Sequence, residues 1–219
     1  MARRFAREHL SFTDLISEAA EAVYMVVIIN GYVALSQLST QFYYIVAVDI
    51  GACIGWGFID GFTYAIGSSI DRGNQASLVQ KIQSEKDTQK SINDVVEELD
   101  GTFVSGFSDE SKRSIAAEIL KDSAGVPQVK QKFITRDELA GFASIMVVYL
   151  LAGIALSLPY LIFENKIDAW LVSNSLGIIW LFYYGFRVGR VTRGRRILIG
   201  LLTSSAGIAF LIISYFVYG

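Results

Sequence analysis

The stretch Tyr43-Tyr44-Ile45-Val46-Ala47-Val48-Asp49-Ile50-Gly51-Ala52-Cys53-Ile54-Gly55-Trp56-Gly57-Phe58-Ile59-Asp60-Gly61 decides how this chain is read. Apart from two aspartates it is apolar or small, and this character persists to Ser68. About 20 such residues, each advancing about 1.5 Å, cross a hydrocarbon core of about 30 Å. A carboxylate inside a bilayer costs about 2.5 to 3.5 kcal/mol on insertion scales, so it faces a protein interior or an aqueous path. Asp49 and Asp60 are therefore where structure and function should meet.

Working outward, four more windows have spanning length: Leu15–Leu38, Leu139–Phe163, Ala169–Phe186 and Ile197–Tyr218. The last three contain no acidic residue, whereas the first holds Glu18 and Glu21. Of the 219 residues 53% are hydrophobic and 18% charged, against about 25% charged in soluble domains. With a mean hydropathy of +0.43, the composition predicts an all-α, polytopic membrane protein with five transmembrane helices and a cytoplasmic helical insert between helices two and three. The expected division is 1–70 for helices one and two, 71–138 for the insert and 139–219 for helices three to five. The basic start at Arg3, Arg4 and Arg7 leads into Glu18 and Glu21 without a short apolar core and cleavage site, so the first helix is expected to stay.

Eighteen of the nineteen Lys and Arg residues fall before window one, between windows two and three, or between windows four and five; Lys166 is the exception. Basic residues accumulate on the cytoplasmic side, which places the N-terminus and the insert in the cytoplasm and Gly219 on the opposite side. The net charge of -2 argues against DNA or RNA as a partner. One cysteine (Cys53) and one histidine (His9) cannot build a Cys/His zinc cluster. No Gly-x-Ser-x-Gly elbow or metalloprotease motif is present, so the chain is not expected to be an enzyme.

Residues 71–138 carry 13 acidic and 10 basic side chains and only three aromatics, Phe103, Phe107 and Phe133. Val95, Val96 and Leu99 recur at helical spacing, as do Ile115, Ile119 and Leu120 after a Ser108-Asp109-Glu110-Ser111 N-cap; Pro127 interrupts the pattern. With so few apolar anchors, this insert is expected to lean on a second copy or on the membrane domain.

Glu18, Glu21 and Met25 share one face of the first helix, and Asp49, Cys53, Trp56 and Asp60 form a stripe on the second. Because the first helix enters from the side to which the second returns, Glu21 and Asp60 should lie at similar depth. Facing carboxylates repel unless a cation or protons lie between them, and hard oxygens suit divalent ions such as Mn2+, Fe2+, Mg2+ or Ca2+. Glu18, Glu21, Asp49 and Asp60 are thus the candidate metal ligands: Glu21 and Asp60 central, Glu18 on the cytoplasmic side and Asp49 toward the exit. The structural alternative puts Glu18 among the lipid headgroups and Asp49 at a helix cap; Met25 and Cys53 read as packing residues rather than ligands.

Gly51, Gly55, Gly57 and Gly61, and again Gly185 and Gly189, have the spacing that lets helices approach closely, with a dimer interface as a possible extension. Pro159 should bend or end the third helix. Arg187 to Arg196 suits anionic lipid, and Phe42, Tyr43, Tyr44, Tyr160 and Trp170 suit an outer aromatic belt.

Several patterns are similar to the vacuolar iron transporter family. Ala143-Ser144-Ile145 through Gly153, followed by Leu158-Pro159-Tyr160-Leu161, resembles its third span. Val172-Ser173, Leu176, Leu181-Phe182 and Gly185 resemble its fourth, and Arg195-Arg196-Ile197-Leu198-Ile199-Gly200 its fifth. Gly51-Ala52-Cys53-Ile54 with Ser69-Ile70-Asp71-Arg72 resembles its second span and exit. The resemblance implies a homodimer that moves Fe2+ or Mn2+ out of the cytosol in exchange for protons, along a path between the copies of spans one and two; the metal is cargo, and no resident cofactor is implied. It departs at Glu21-Ala22, where the family has Asp-Gly, and at Gly55, where the family has Met. In the insert, Glu85, Glu97, Glu98, Glu110 and Glu118 are the candidates for collecting metal, against the simpler reading of a solvated helix face. The competing function is a non-transporting membrane scaffold whose insert binds a partner.

Overall fold

The structure, a computed structural model, describes residues 12–35, 41–84, 88–123, 125 and 133–218. Arg3, Arg4, Arg7, His9, Leu38, Glu85, Pro127 and Gly219 lie outside the described residues. Within the described residues there is no strand, and the α-helices are α1 (Phe12–Leu35), α2 (Phe42–Ser84), α3 (Thr88–Asp100), α4 (Asp109–Ser123), α5 (Arg136–Ser157), α6 (Pro159–Ile162), α7 (Lys166–Val191) and α8 (Arg196–Tyr218). Five stretches, Thr13–Tyr32, Phe42–Ser84, Arg136–Ile162, Lys166–Val191 and Arg196–Ile213, are long and apolar enough to cross a membrane. They correspond to the five windows of the sequence.

The second differs in length. Its apolar part ends near Ser68, yet α2 continues to Ser84, because Asp71, Arg72 and Gln75 are polar without being helix breakers and no proline intervenes. The chain forms two compact units, one from the described parts of Met1–Ala65 and Arg136–Gly219, the other from Ile66–Thr135.

In the first unit, α1 packs against α5, α7 and α8. Ala20, Ala22, Val23, Val26 and Val27 of α1 meet Cys53, Ile145, Tyr149, Leu156, Leu181 and Leu211 in one buried cluster. Helices bring their backbones together where a side chain is missing. A Cβ on Gly185 would lie 2.6 Å from the Ile199 carbonyl oxygen, and one on Gly189 would lie 2.7 Å from the Arg196 Cα, so the Gly185/Gly189 pair closes the α7–α8 hairpin. That hairpin turns through Arg193, which adopts the left-handed conformation at φ 56, a common way to stop a helix. Tyr24 of α1 ties to α8 by donating to the Thr203 carbonyl at 2.6 Å.

Pro159 acts as expected. α5 ends at Ser157 and α6 starts at Pro159, since proline supplies no N–H for the preceding turn. Tyr160 does not join an aromatic belt: it is 1% exposed and packs with Ile45 and Ala169. Tyr43 and Tyr44, by contrast, remain exposed. Much of the remaining surface is apolar, including Leu151, Ile179 and Leu202, which suits lipid rather than water.

The second unit has a core of its own. Ile82, Val95 and Ala116 are buried, with Leu78, Ile92, Val96, Leu99 and Leu120 packed around them. The α3 half follows the sequence pattern, and the end of α2 adds Leu78 and Ile82. On α4 the small Ala116 is the fully buried residue, while Ile119 is 39% exposed. The Ser108 hydroxyl caps α4 by accepting from the Ser111 N–H at 3.3 Å. Lys112 pairs with Asp100 at 2.6 Å, holding the α3–α4 turn.

Candidate metal centre

Three residues on α1 and α2 converge. Glu18 and Glu21 are three apart and share a face of α1; Asp60 comes from α2. Carboxylate oxygens from all three lie within 4.8 Å of one another. Glu21 is exposed, and Glu18 and Asp60 are partly buried. One Glu18 oxygen, Oε2, is buried and accepts no hydrogen bond.

Asp60 is held from α5 by Tyr149, whose hydroxyl donates to Asp60 Oδ2. Tyr149 is 2% exposed and its position depends on Gly57, where a Cβ would sit 2.9 Å from the Tyr149 Cβ. Tyr149 is absent from the sequence-derived set. Its signal is a phenol in the middle of an apolar span, since a buried O–H generally needs an acceptor.

The cluster can hold a hard cation. Oxygens on opposite sides of a Ca2+ ion, each at about 2.3 to 2.6 Å, lie about 4.6 to 5.2 Å apart, and those of a smaller divalent ion lie closer; oxygens within 4.8 Å of one another therefore span an ion of Ca2+ size as they stand and must draw together around a smaller one. Three carboxylates with no Lys or Arg paired to them among the described residues also form a focus of negative charge.

Asp49 is placed elsewhere. Eleven residues from Asp60 on the same helix corresponds to roughly 16 Å of rise. Asp49 is 0% exposed and accepts from the Ser157 hydroxyl at 3.1 Å. It is not a cap either, since α2 starts at Phe42. Cys53 is 0% exposed in the core and Met25 packs against the same cluster, so both are packing residues here. Trp56 is 51% exposed and does not share the burial of Asp49 and Cys53. In the second unit Glu97, Glu98, Glu110 and Glu118 are exposed, and among the described residues the only group of three potential metal ligands is Glu18, Glu21 and Asp60.

A further polar seam was not anticipated. Asn30, 0% exposed, donates to Ser173 at 2.9 Å, and Ser173 donates to the Leu156 carbonyl at 2.6 Å. No protein-family model matches the chain, and no curated protein matches it.

Proposed function

We propose that this chain is a multi-pass membrane transporter of divalent transition-metal cations, Fe2+ or Mn2+, exporting them from the cytosol in exchange for protons. The observation that carries this is the convergence of Glu18, Glu21 and Asp60, with oxygens within 4.8 Å, on two helices of membrane-spanning length. The resemblance to the vacuolar iron transporter family supports the same reading and adds a homodimer, with the N-terminus and the insert on the cytoplasmic side. Glu18, Glu21 and Asp60 bind the metal, and Tyr149 orients Asp60. Protons compete with metal for these carboxylates, so metal binding depends on pH.

The test is flux in liposomes containing the purified protein, with Fe2+, Mn2+, Co2+, Zn2+, Ca2+ and Mg2+ offered in turn. Metal uptake with opposite proton flow, lost in Glu21→Gln and in Asp60→Asn, is the expected result. No flux of any ion from folded, inserted protein would sink the proposal. It would favour the scaffold reading, for which the separate core of residues 66–135 and the 91% exposure of Phe103 speak.

A further inference from the structure

The Asp49 pocket asks for its own explanation. Asp49 lies on α2 one turn after Ile45 and one turn before Cys53, level with the break between α5 and α6. It is 0% exposed. Ser157 satisfies Oδ2, while Oδ1 is buried with no partner.

The groups around it are neutral at pH 7. From its own helix comes Cys53, wedged against Gly153 so that a Cβ there would lie 2.6 Å from the thiol sulfur. From α5 comes Ser157, and from α6 comes Tyr160, whose buried hydroxyl also lacks a hydrogen-bond partner. Farther along the seam through Ser173, the buried Asn30 leaves its Oδ1 unpartnered too. Among the described residues no Lys, Arg or His pairs with Asp49.

A bare carboxylate taken out of water without a counter-charge costs several kcal/mol. Something must neutralise it. A metal ion needs a shell of about six or more oxygens, and here one hydroxyl already points its hydrogen at the carboxylate. A proton needs only the free oxygen.

We propose that Asp49 is a proton site separate from the metal centre, and that its Oδ1 carries the proton exchanged for the metal. The exchange half of this rests on the transporter reading above; the proton site does not. The step is a transfer between Asp49 Oδ1 and water, one proton per copy, with no covalent bond to carbon or sulfur made and no electron moved.

Infrared difference spectra of the full chain in lipid vesicles, without metal and across pH, test the site directly. In a background whose metal centre is neutralised by Glu18→Gln, Glu21→Gln and Asp60→Asn, a carboxylic-acid carbonyl band at neutral pH is expected, lost when Asp49→Asn is added and kept when Asp49→Glu is added instead. That background without the band, or its Asp49→Asn form with the band retained, overturns the proposal, as does a band removed by exchanging choline for Na+, which would mean an alkali cation. Should Asp49→Asn fail to fold, Ser157→Ala replaces it: loss of the donor should shift the band, and an unshifted band counts against Asp49. Mn2+ flux then tests the exchange. Asp49→Asn is expected to move Mn2+ down its gradient with proton counter-flow reduced at least tenfold, and parent-like counter-flow overturns the coupling. If even the parent moves no metal, the transporter reading falls while the band still decides the proton site.

Discussion

Asp49 and Asp60 belong to one helix, eleven residues apart on the same stripe, and they meet opposite surroundings. Asp60 faces Glu18 and Glu21, with oxygens within 4.8 Å, where more negative charge accumulates than the protein neutralises. Asp49 faces a serine, a thiol and a phenol, and is fully buried. On the readings proposed above, the first setting takes a multivalent cation in competition with protons and the second takes a proton alone. An acidic residue in a membrane-length helix therefore has no fixed role: the neighbouring helix assigns it.

The difference breaks most easily at Asp60. Asp60→Asn removes a charged ligand, and its effect on Mn2+ affinity should exceed the 10- to 100-fold of an outer-shell change. Calorimetric titration of purified protein measures it; an Asp60→Asn affinity within about threefold of the parent, judged against that range, would remove the cluster as the metal site. Parent affinity should rise with pH, because metal displaces protons from these carboxylates and fewer are bound at higher pH. The same titration at two pH values checks the sign.

Next in size is Tyr149. Tyr149→Phe keeps the ring that fills the space beside Gly57 and deletes only the donor to Asp60. A loss of about 10- to 100-fold in Mn2+ affinity is expected, with the melting temperature of metal-free protein little changed. A large drop in stability with unaltered affinity would show instead that the phenol serves packing alone.

These two residues mark where the sequence was legible. Helical spacing put Glu18 and Glu21 on one face, and counting depth along two antiparallel helices brought Glu21 level with Asp60; both steps use local geometry that the sequence contains. Five spans and a polar insert followed from hydropathy for the same reason. Which residue of a third helix lands opposite Asp60 depends on rotation and tilt, and those are settled by glycines such as Gly57 only once the partner is known. Tyr160 and Trp56 show the same limit: Tyr160, near a span end, reads as interfacial yet is buried against Ile45 and Ala169, and Trp56, on the stripe of Asp49 and Cys53 by spacing, stays exposed.

The smallest expected effect separates the two glycine pairs of α2. A Cβ at Gly57 would lie 2.9 Å from Tyr149, and one at Gly61 would lie 3.0 Å from the Phe142 carbonyl oxygen, whereas Gly51 and Gly55 have nothing within 4 Å. Gly57→Ala must push α2 and α5 apart, a change that costs about 1 to 3 kcal/mol in packed interiors. Gly55→Ala places a methyl in open space inside a helix and should leave stability unchanged or raise it by up to about 1 kcal/mol, the helix-propensity gain of alanine over glycine. Unfolding in detergent under conditions that keep the protein monomeric measures both. In a lipid bilayer the comparison becomes sharper: if Gly55→Ala turns as costly there as Gly57→Ala, a helix from outside this chain lies against that face. The homodimer proposed above then gains its contact surface, on the same helix that carries Asp60. If Gly55→Ala costs no stability in either medium, Gly51 and Gly55 face lipid and any dimer must form elsewhere.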